Sequence, residues 1–318
     1  MPRSARTASQ DVVVARHRGR DLMLDLVLPA APGPHPVVAW LHGGAFMRGD
    51  RKRLPADITA LTSRGIALAS LEYRLSHEAP FPAQLRDVRA ALRHLHHHGA
   101  ELGLDSGSIG VWGASAGGHL AALAGLMAHV PALPGEPDGP AVPIRAVATA
   151  YPLTDLTDGA PRPSVTIPAL GGASPEELLL GGRPADLPEL ARAASPLLQV
   201  AGPAPPFQIC CGDADLLVNP QHSIRLHERL LAAGNDSELI TVTGFGHAFL
   251  NPADENDVDT AGLHDAGRLI AEQPARAVRN AGRGDAEVLF DFASVADFFG
   301  AHLQSSGPSG SDPARTDE

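Results

Sequence analysis

Residues 108–123 read SIGVWGASAGGHLAAL, and this stretch decides the fold. Ser108 to Trp112 has the composition of a short strand, Gly113 to Gly117 holds only small residues, and an Ala/Leu-rich helix runs on through about Met127. The middle five residues, Gly113-Ala114-Ser115-Ala116-Gly117, match G-x-S-x-G. Small side chains there let the backbone turn sharply from strand to helix, holding Ser115 in a strained conformation with its hydroxyl exposed at the top of the sheet. Alone the pentapeptide is a weak signal, because a helix start capped by Ser115 would carry the same residues. Its place between a strand and a helix favours a nucleophile.

Working outward, the same alternation continues on both sides. The chain enters its first strand by about residue 12. Leu22 to Leu28 and Pro36 to Leu41 are apolar runs separated by the Pro/Gly-rich turn Pro29 to Pro34, which reads as two consecutive strands. Leu54 to Arg64 reads as a helix ending at Gly65, and Ile66 to Tyr73 as a buried strand. Pro82 to His98 places Leu85, Val88, Ala91, Leu92 and Leu95 on one helical face. Downstream, Ile144 to Tyr151, Phe207 to Cys211 and Glu238 to Val242 read as strands; Pro220 to Ala233 and about Ala293 to Leu303 read as helices. This order predicts the α/β class, with a mostly parallel central sheet and helices on both faces.

The expected organisation is a single domain over residues 12–304. Residues 128–206 are proline- and glycine-rich, with short helical pieces around Pro175 to Leu180 and Pro188 to Ala194, and are expected to cover the site as a cap-like insertion. Residues 251–287 are charged and interrupted by glycines, with helical pieces near Leu263 to Glu272; the sequence gives them no catalytic role. The polar tail 305–318 has the composition of disorder.

Composition narrows the partners. Of the 318 residues 44% are hydrophobic and 19% charged, ordinary for a globular chain with a sizeable core. A formal charge of −11 leaves no basic footprint for nucleic acid or anionic lipid, so neither is an expected partner. The start of the chain lacks an apolar leader segment, and no run of about eighteen apolar residues occurs, so the expectation is a soluble cytoplasmic protein without membrane contact. Cys210 and Cys211 are adjacent, cannot staple distant parts of the fold and read as buried thiols. The histidines show no paired-ligand spacing, and His96, His97 and His98 read as a solvated helix end. No metal or cofactor is expected. A homo-oligomer is left open.

A serine hydroxyl is a poor nucleophile at neutral pH and needs a base, with a carboxylate to hold that base in the right tautomer. Gly212-Asp213-Ala214-Asp215-Leu216-Leu217-Val218 follows one strand end, and Gly244-Phe245-Gly246-His247 follows the next. Asp215 is favoured over Asp213, which sits where a carboxylate ties its own turn. His247 is favoured over His222 and His227, which lie on a helix and read as solvated surface. The oxyanion of a tetrahedral intermediate needs donors, each worth roughly 3 to 4 kcal/mol. Gly43, Gly44 and Ala45, following the strand that ends at Leu41, supply backbone N–H groups together with Ala116. His42 reads as a structural hydrogen-bonder.

The motifs HGGAF (42–46), YRLSHEAPFPAQLRDVRAALRHL (73–95), IGVWGASAGGHLAAL (109–123), GDADLLV (212–218) and GFGHAF (244–249) occur in this order. In them the chain resembles the α/β-hydrolase esterases with an HGGG-type oxyanion motif, akin to the hormone-sensitive lipase family and to bacterial acetylesterase and feruloyl-esterase-like enzymes. The resemblance implies an α/β-hydrolase fold, a catalytic triad of Ser115, Asp215 and His247, an oxyanion hole of Gly43, Gly44 or Ala45 with Ala116, and a small-molecule ester as substrate. It also implies that Arg74 and Asp87 fix the core. Two features depart from the pattern: Ala45 stands where a third glycine is usual, and residues 251–287 have no counterpart, which displaces the final helix. Within residues 128–206 the aromatic content is only Tyr151, which hints at a short acyl chain. Two other readings stay open: an amidase, formamidase or small peptidase with the same triad, and a non-catalytic ligand-binding protein on the same fold.

Overall fold

The apolar runs become strands, and the strands form one sheet. The computed structural model describes residues 5–17, 19–163, 173–253 and 263–304. Its strands are β1 Ala5–His17, β2 Arg20–Pro29, β3 His35–Leu41, β4 Ala67–Leu71, β5 Leu104–Ala114, β6 Ile144–Ala150, β7 Phe207–Gly212, β8 Ser237–Val242, β9 Ala275–Asn280 and β10 Asp285–Phe290. They form a ten-stranded sheet in the order β1-β2-β4-β3-β5-β6-β7-β8-β9-β10. Neighbours from β4 through β8 run parallel, and β1–β2, β2–β4, β8–β9 and β9–β10 are antiparallel. Between the strands lie α1 Thr59–Thr62, α2 Ala83–His98, α3 Ala116–Leu126, α4 Pro175–Leu180, α5 Pro188–Ala193, α6 Pro196–Gln199, α7 Gln221–Ala232, α8 Arg268–Glu272 and α9 Phe292–Leu303.

Alternate strand residues point to opposite faces, so the central sheet feeds two cores. Val37, Ala39, Val111, Ile209 and Cys211 pack under α2, α3 and α7. Val38, Trp40, Trp112, Cys210 and Ile240 pack under α1 and α9. Cys210 and Cys211 are thus buried, free thiols on opposite faces of β7. On α9, Phe292, Val295, Ala296, Phe299 and Leu303 are nearly inaccessible. Burying each large side chain of this kind contributes about 1.5–3 kcal/mol. The Arg74 guanidinium meets the fully buried Asp87 at 2.7 Å through both Nε and Nη2, which ties the segment after β4 to α2.

Two expectations change. The helix expected over 54–64 is confined to Thr59–Thr62, because the Asp57 carboxylate accepts from the Thr59 N–H at 2.8 Å and starts the turn there. In residues 251–287, where helical pieces are expected near 263–272, the described residues hold the short α8 within that range and then the unexpected β9–β10 hairpin. Along β9 only Ala275 and Ala277 are buried, and most of β10 is exposed. One solvated face with small residues on the other leaves a weak apolar alternation. The turn Asn280 to Gly284 carries the signal that was there to read: Gly282 and Gly284 have φ of 75° and 100°, and the Asn280 side chain accepts from Gly282. Because the hairpin comes first, the last helix lies at Phe292–Leu303, close to where the sequence puts it. The tail 305–318 lies outside the described residues.

Candidate active site

All the candidate residues sit where strands of the parallel sheet give way to loops. Ser115 joins β5 to α3 with φ 54° and ψ −118°, a left-handed conformation for a residue with a side chain. Such a residue costs roughly 1–3 kcal/mol, and the surroundings must enforce it. Here they do: the Ser115 N–H donates to the Ala150 carbonyl and the Ser115 carbonyl accepts from the His119 N–H, both at 2.9 Å. The flanking glycines are dictated by backbone contact. A Cβ on Gly113 would lie 2.2 Å from the Gly117 oxygen, and one on Gly117 only 2.0 Å from the Leu41 oxygen. Strand β3 and helix α3 therefore approach more closely than any side chain allows.

The other two residues come from the loops after β7 and β8. Asp215 is 3% exposed, and its Oδ1 accepts from the Leu217 and Val218 N–H groups at 2.9 Å. That leaves Oδ2 to face His247 Nδ1 at 2.7 Å. On the far side of the ring, His247 Nε2 is 2.9 Å from the Ser115 hydroxyl. The neutral imidazole with its proton on Nδ1 can accept the serine proton at Nε2, while the carboxylate fixes that tautomer. Asp213 is exposed and departs from expectation: its carboxylate accepts from the Gly244 N–H at 2.6 Å, so it ties the loop after β7 to the loop after β8 and does not close its own turn.

The chain after β3 runs beside the serine: a Cβ on Gly43 would lie 3.4 Å from Ser115 Cβ. Gly44, Ala45 and Phe46 follow with φ of 122°, 53° and 62°, a curled backbone of the kind that presents N–H groups to an anion. Ala116 opens α3, so its N–H is one of the donors a helix leaves unpaired at its start. His42 Nδ1 lies 2.7 Å from the Gly43 oxygen, and its ring stacks on Tyr73, whose hydroxyl donates to the His42 carbonyl at 2.7 Å. Burial pushes the His42 pKa down to about 4, which keeps the ring neutral.

A cavity of about 510 Å³ opens over Ser115. Its walls come from residues 156–158, 160–163, 173–177 and 183–185, and from Leu217, Val218 and His222. His222 and His227 correct the sequence reading, for both are buried. His222 Nδ1 accepts from the Thr154 N–H at 3.2 Å and Nε2 faces the Pro161 oxygen at 3.1 Å; His227 bonds Ser237 at 2.9 Å. A neutral imidazole can be buried when its ring nitrogens find partners, and helical spacing cannot reveal those partners. Burial holds His222 at a pKa of about 4.

Two further residues were not singled out for the site. Tyr151, buried with φ 40°, sets its ring 4.6 Å from that of His247. His264 lines the cavity with its ring 5.8 Å from His247, and burial, then the neighbouring His247, lowers its pKa to about 4. Tyr151 ends an evident strand and could have been proposed; His264 sits in a segment with no motif.

A parallel sheet with a strand–serine–helix elbow and Ser, Asp and His in that chain order defines the α/β-hydrolase fold. The BD-FAE family model matches residues 24–230, and the chain belongs to that family. The esterase LipQ of Mycobacterium tuberculosis is 32% identical over 220 residues, covering 68% of this chain and 51% of LipQ. The chain spans about half the length of the curated relatives it matches. A solved truncated form of a carbohydrate esterase from gut microbiota is 26% identical, with a TM-score of 0.65, over 78% of this chain and 91% of that one. A Thermogutta terrifontis esterase with butyrate bound is 25% identical, with a TM-score of 0.64, over 78% and 87% of the two chains. The same esterase has been solved phosphonylated by sarin.

Proposed function

We propose that this chain is a serine carboxylic-ester hydrolase acting on small or short-acyl esters. The observation that carries this reading is the unbroken line from Asp215 Oδ2 through His247 to the Ser115 hydroxyl, at 2.7 and 2.9 Å. Ser115 is the nucleophile, His247 the general base and then acid, and Asp215 the group that orients it. Ser115 Oγ attacks the ester carbonyl as His247 takes its proton, the N–H groups of Gly43, Gly44 or Ala45 and of Ala116 hold the oxyanion, and protonated His247 releases the alcohol. Water then attacks the acyl-enzyme by the same steps in reverse.

The butyrate seen in the Thermogutta terrifontis esterase supports a short acyl group. A cavity of about 510 Å³ leaves room for a larger alcohol part. Within residues 128–206, apart from the sheet strand β6, the chain serves as a cap over this cavity in a single domain running from β1 to α9, a reading supported by the wall residues between 156 and 185. We place the protein in the cytoplasm, as two free buried thiols suit a reducing compartment. Among the described residues no helix is long and apolar enough to cross a membrane.

The test is hydrolysis of p-nitrophenyl acetate, butyrate and octanoate by the wild type and Ser115→Ala. Activity on the shorter esters that falls on the order of 10⁴-fold or more in the variant is expected. A folded wild type inactive on all three and on simple amides would contradict the proposal.

A further inference from the structure

Each residue of the Ser–His–Asp array must be held still. Ser115 is fixed by its turn, and Asp215 by two N–H groups of its own loop. His247 follows Gly244-Phe245-Gly246, and glycines lose more conformational freedom on being ordered than any other residue. The loop after β7 holds the first two of these residues, the Asp213 carboxylate accepting from the Gly244 N–H and the Ala214 N–H donating to the Phe245 carbonyl. At Gly246 and His247 the hold comes from residues 265–268, further along the same connection from β8 to β9.

Asp265 engages that loop twice. Its backbone N–H donates to the His247 carbonyl at 2.7 Å, and its carboxylate accepts from the Gly246 N–H. The two bonds bracket the pair of residues from which the imidazole hangs. Arg268 secures the carboxylate: its Nη1 lies 3.1 Å from the same Oδ2 and donates to the Gly244 carbonyl at 2.6 Å, while the guanidinium sits 4.0 Å from the Phe245 ring centroid. Beyond the histidine, the Gly267 N–H donates to the Asn251 carbonyl at 2.7 Å. Residues 265–268 thus engage the loop on both sides of His247.

We propose that Asp265 is a positioning residue for His247, with Arg268 fixing its carboxylate, so that this otherwise unassigned segment keeps the general base in register with Ser115 and Asp215. Its effect on turnover rests on the esterase reading above; its effect on the histidine does not. A misplacement of about 1 Å can cost on the order of 100-fold in rate, and a loop freed at one of its bonds loses part of that.

The test uses the full chain with Asp265→Ala, Asp265→Asn and Arg268→Gln. The readouts are kcat and KM on p-nitrophenyl butyrate, and the downfield proton resonance of His247 Nδ1–H bound to Asp215, identified by its loss in His247→Ala. Asp265→Ala is expected to lower kcat roughly 10- to 100-fold with KM little changed, and to broaden or abolish the resonance. Asp265→Asn keeps an oxygen for the Gly246 N–H and regains most of both. A folded Asp265→Ala chain with wild-type kcat and an unaltered resonance, or an Asp265→Asn chain no better than Asp265→Ala, would overturn the proposal. Should Asp265→Ala fail to fold, Arg268→Gln decides: a lowered kcat with an altered resonance supports positioning, and wild-type values of both refute it. If the wild type hydrolyses no ester, the activity reading falls while the resonance still decides the role of Asp265.

Discussion

Ser115 sits in a turn that its flanking glycines let press against Leu41 and bond to Ala150, whereas His247 sits in a glycine-containing turn held by the loop after β7 and by residues 265–268. In the first, Gly113 and Gly117 let backbone press on backbone, and the strained serine has nowhere else to go. In the second, the loop after β8 is flexible by composition and is bracketed by Asp265, nineteen residues from Gly246. The two members of this hydrogen-bonded pair therefore differ in how much of their setting a short sequence pattern records. The glycines around Ser115 and before His247 show in the sequence; Asp265, which bonds the His247 turn from a later segment, does not.

Paired glycine substitutions test this contrast with the largest expected effect. Gly117→Ala puts a methyl 2.0 Å from a backbone oxygen, which no rotamer change relieves. We expect a loss of about 3 kcal/mol or more in urea unfolding, or no folded chain at all. Gly246→Ala puts its methyl 3.4 Å from the Asp265 carboxylate, an ordinary contact with a side chain. That variant is expected to fold within about 1 kcal/mol of wild type and to lose activity chiefly through kcat. Equal destabilisation by the two would break the comparison. The Asp265 variants come next, with their expected 10- to 100-fold loss in kcat.

The smallest effect concerns four neutral histidines. His42, His222 and His264 line the cavity and His119 donates its backbone N–H to the Ser115 carbonyl; all have pKa values lowered from 6.5 to about 4, mainly by burial. A lowered folded-state pKa means that the unfolded chain binds more protons between about 4 and 6.5, so stability falls as pH drops through that window and is flat above it. The urea midpoint should decline from pH 7 to pH 5 by the equivalent of about 1 kcal/mol or more. His222→Ala should flatten the slope, and an unchanged slope would show that His222 is not buried and neutral.

Much of the site was legible because it is built from local patterns. The strand–turn–helix around Ser115, the strand ends before Asp215 and His247, and the glycines after β3 each carry a spacing with a physical reason. Three features were not legible, each for a different cause. The β9–β10 hairpin buries little more than Ala275 and Ala277 along β9, so its alternation is faint. His222 and His227 look like surface on a helix, because the groups that satisfy them, Thr154, Pro161 and Ser237, are distant in sequence. Asp265 is one acidic residue in a charged segment, and only its partner, the Gly246 N–H, sets it apart.

The central claim, that Ser115 is a nucleophile activated by His247, is tested most directly by a phosphonofluoridate, from which an activated serine Oγ displaces fluoride to form a stable P–O bond. Intact-mass and peptide measurement on the native chain should find one phosphonyl group per molecule, on the peptide containing Ser115, and none in His247→Ala over the same interval. An adduct on another residue, or none on a folded wild-type chain, would contradict the account.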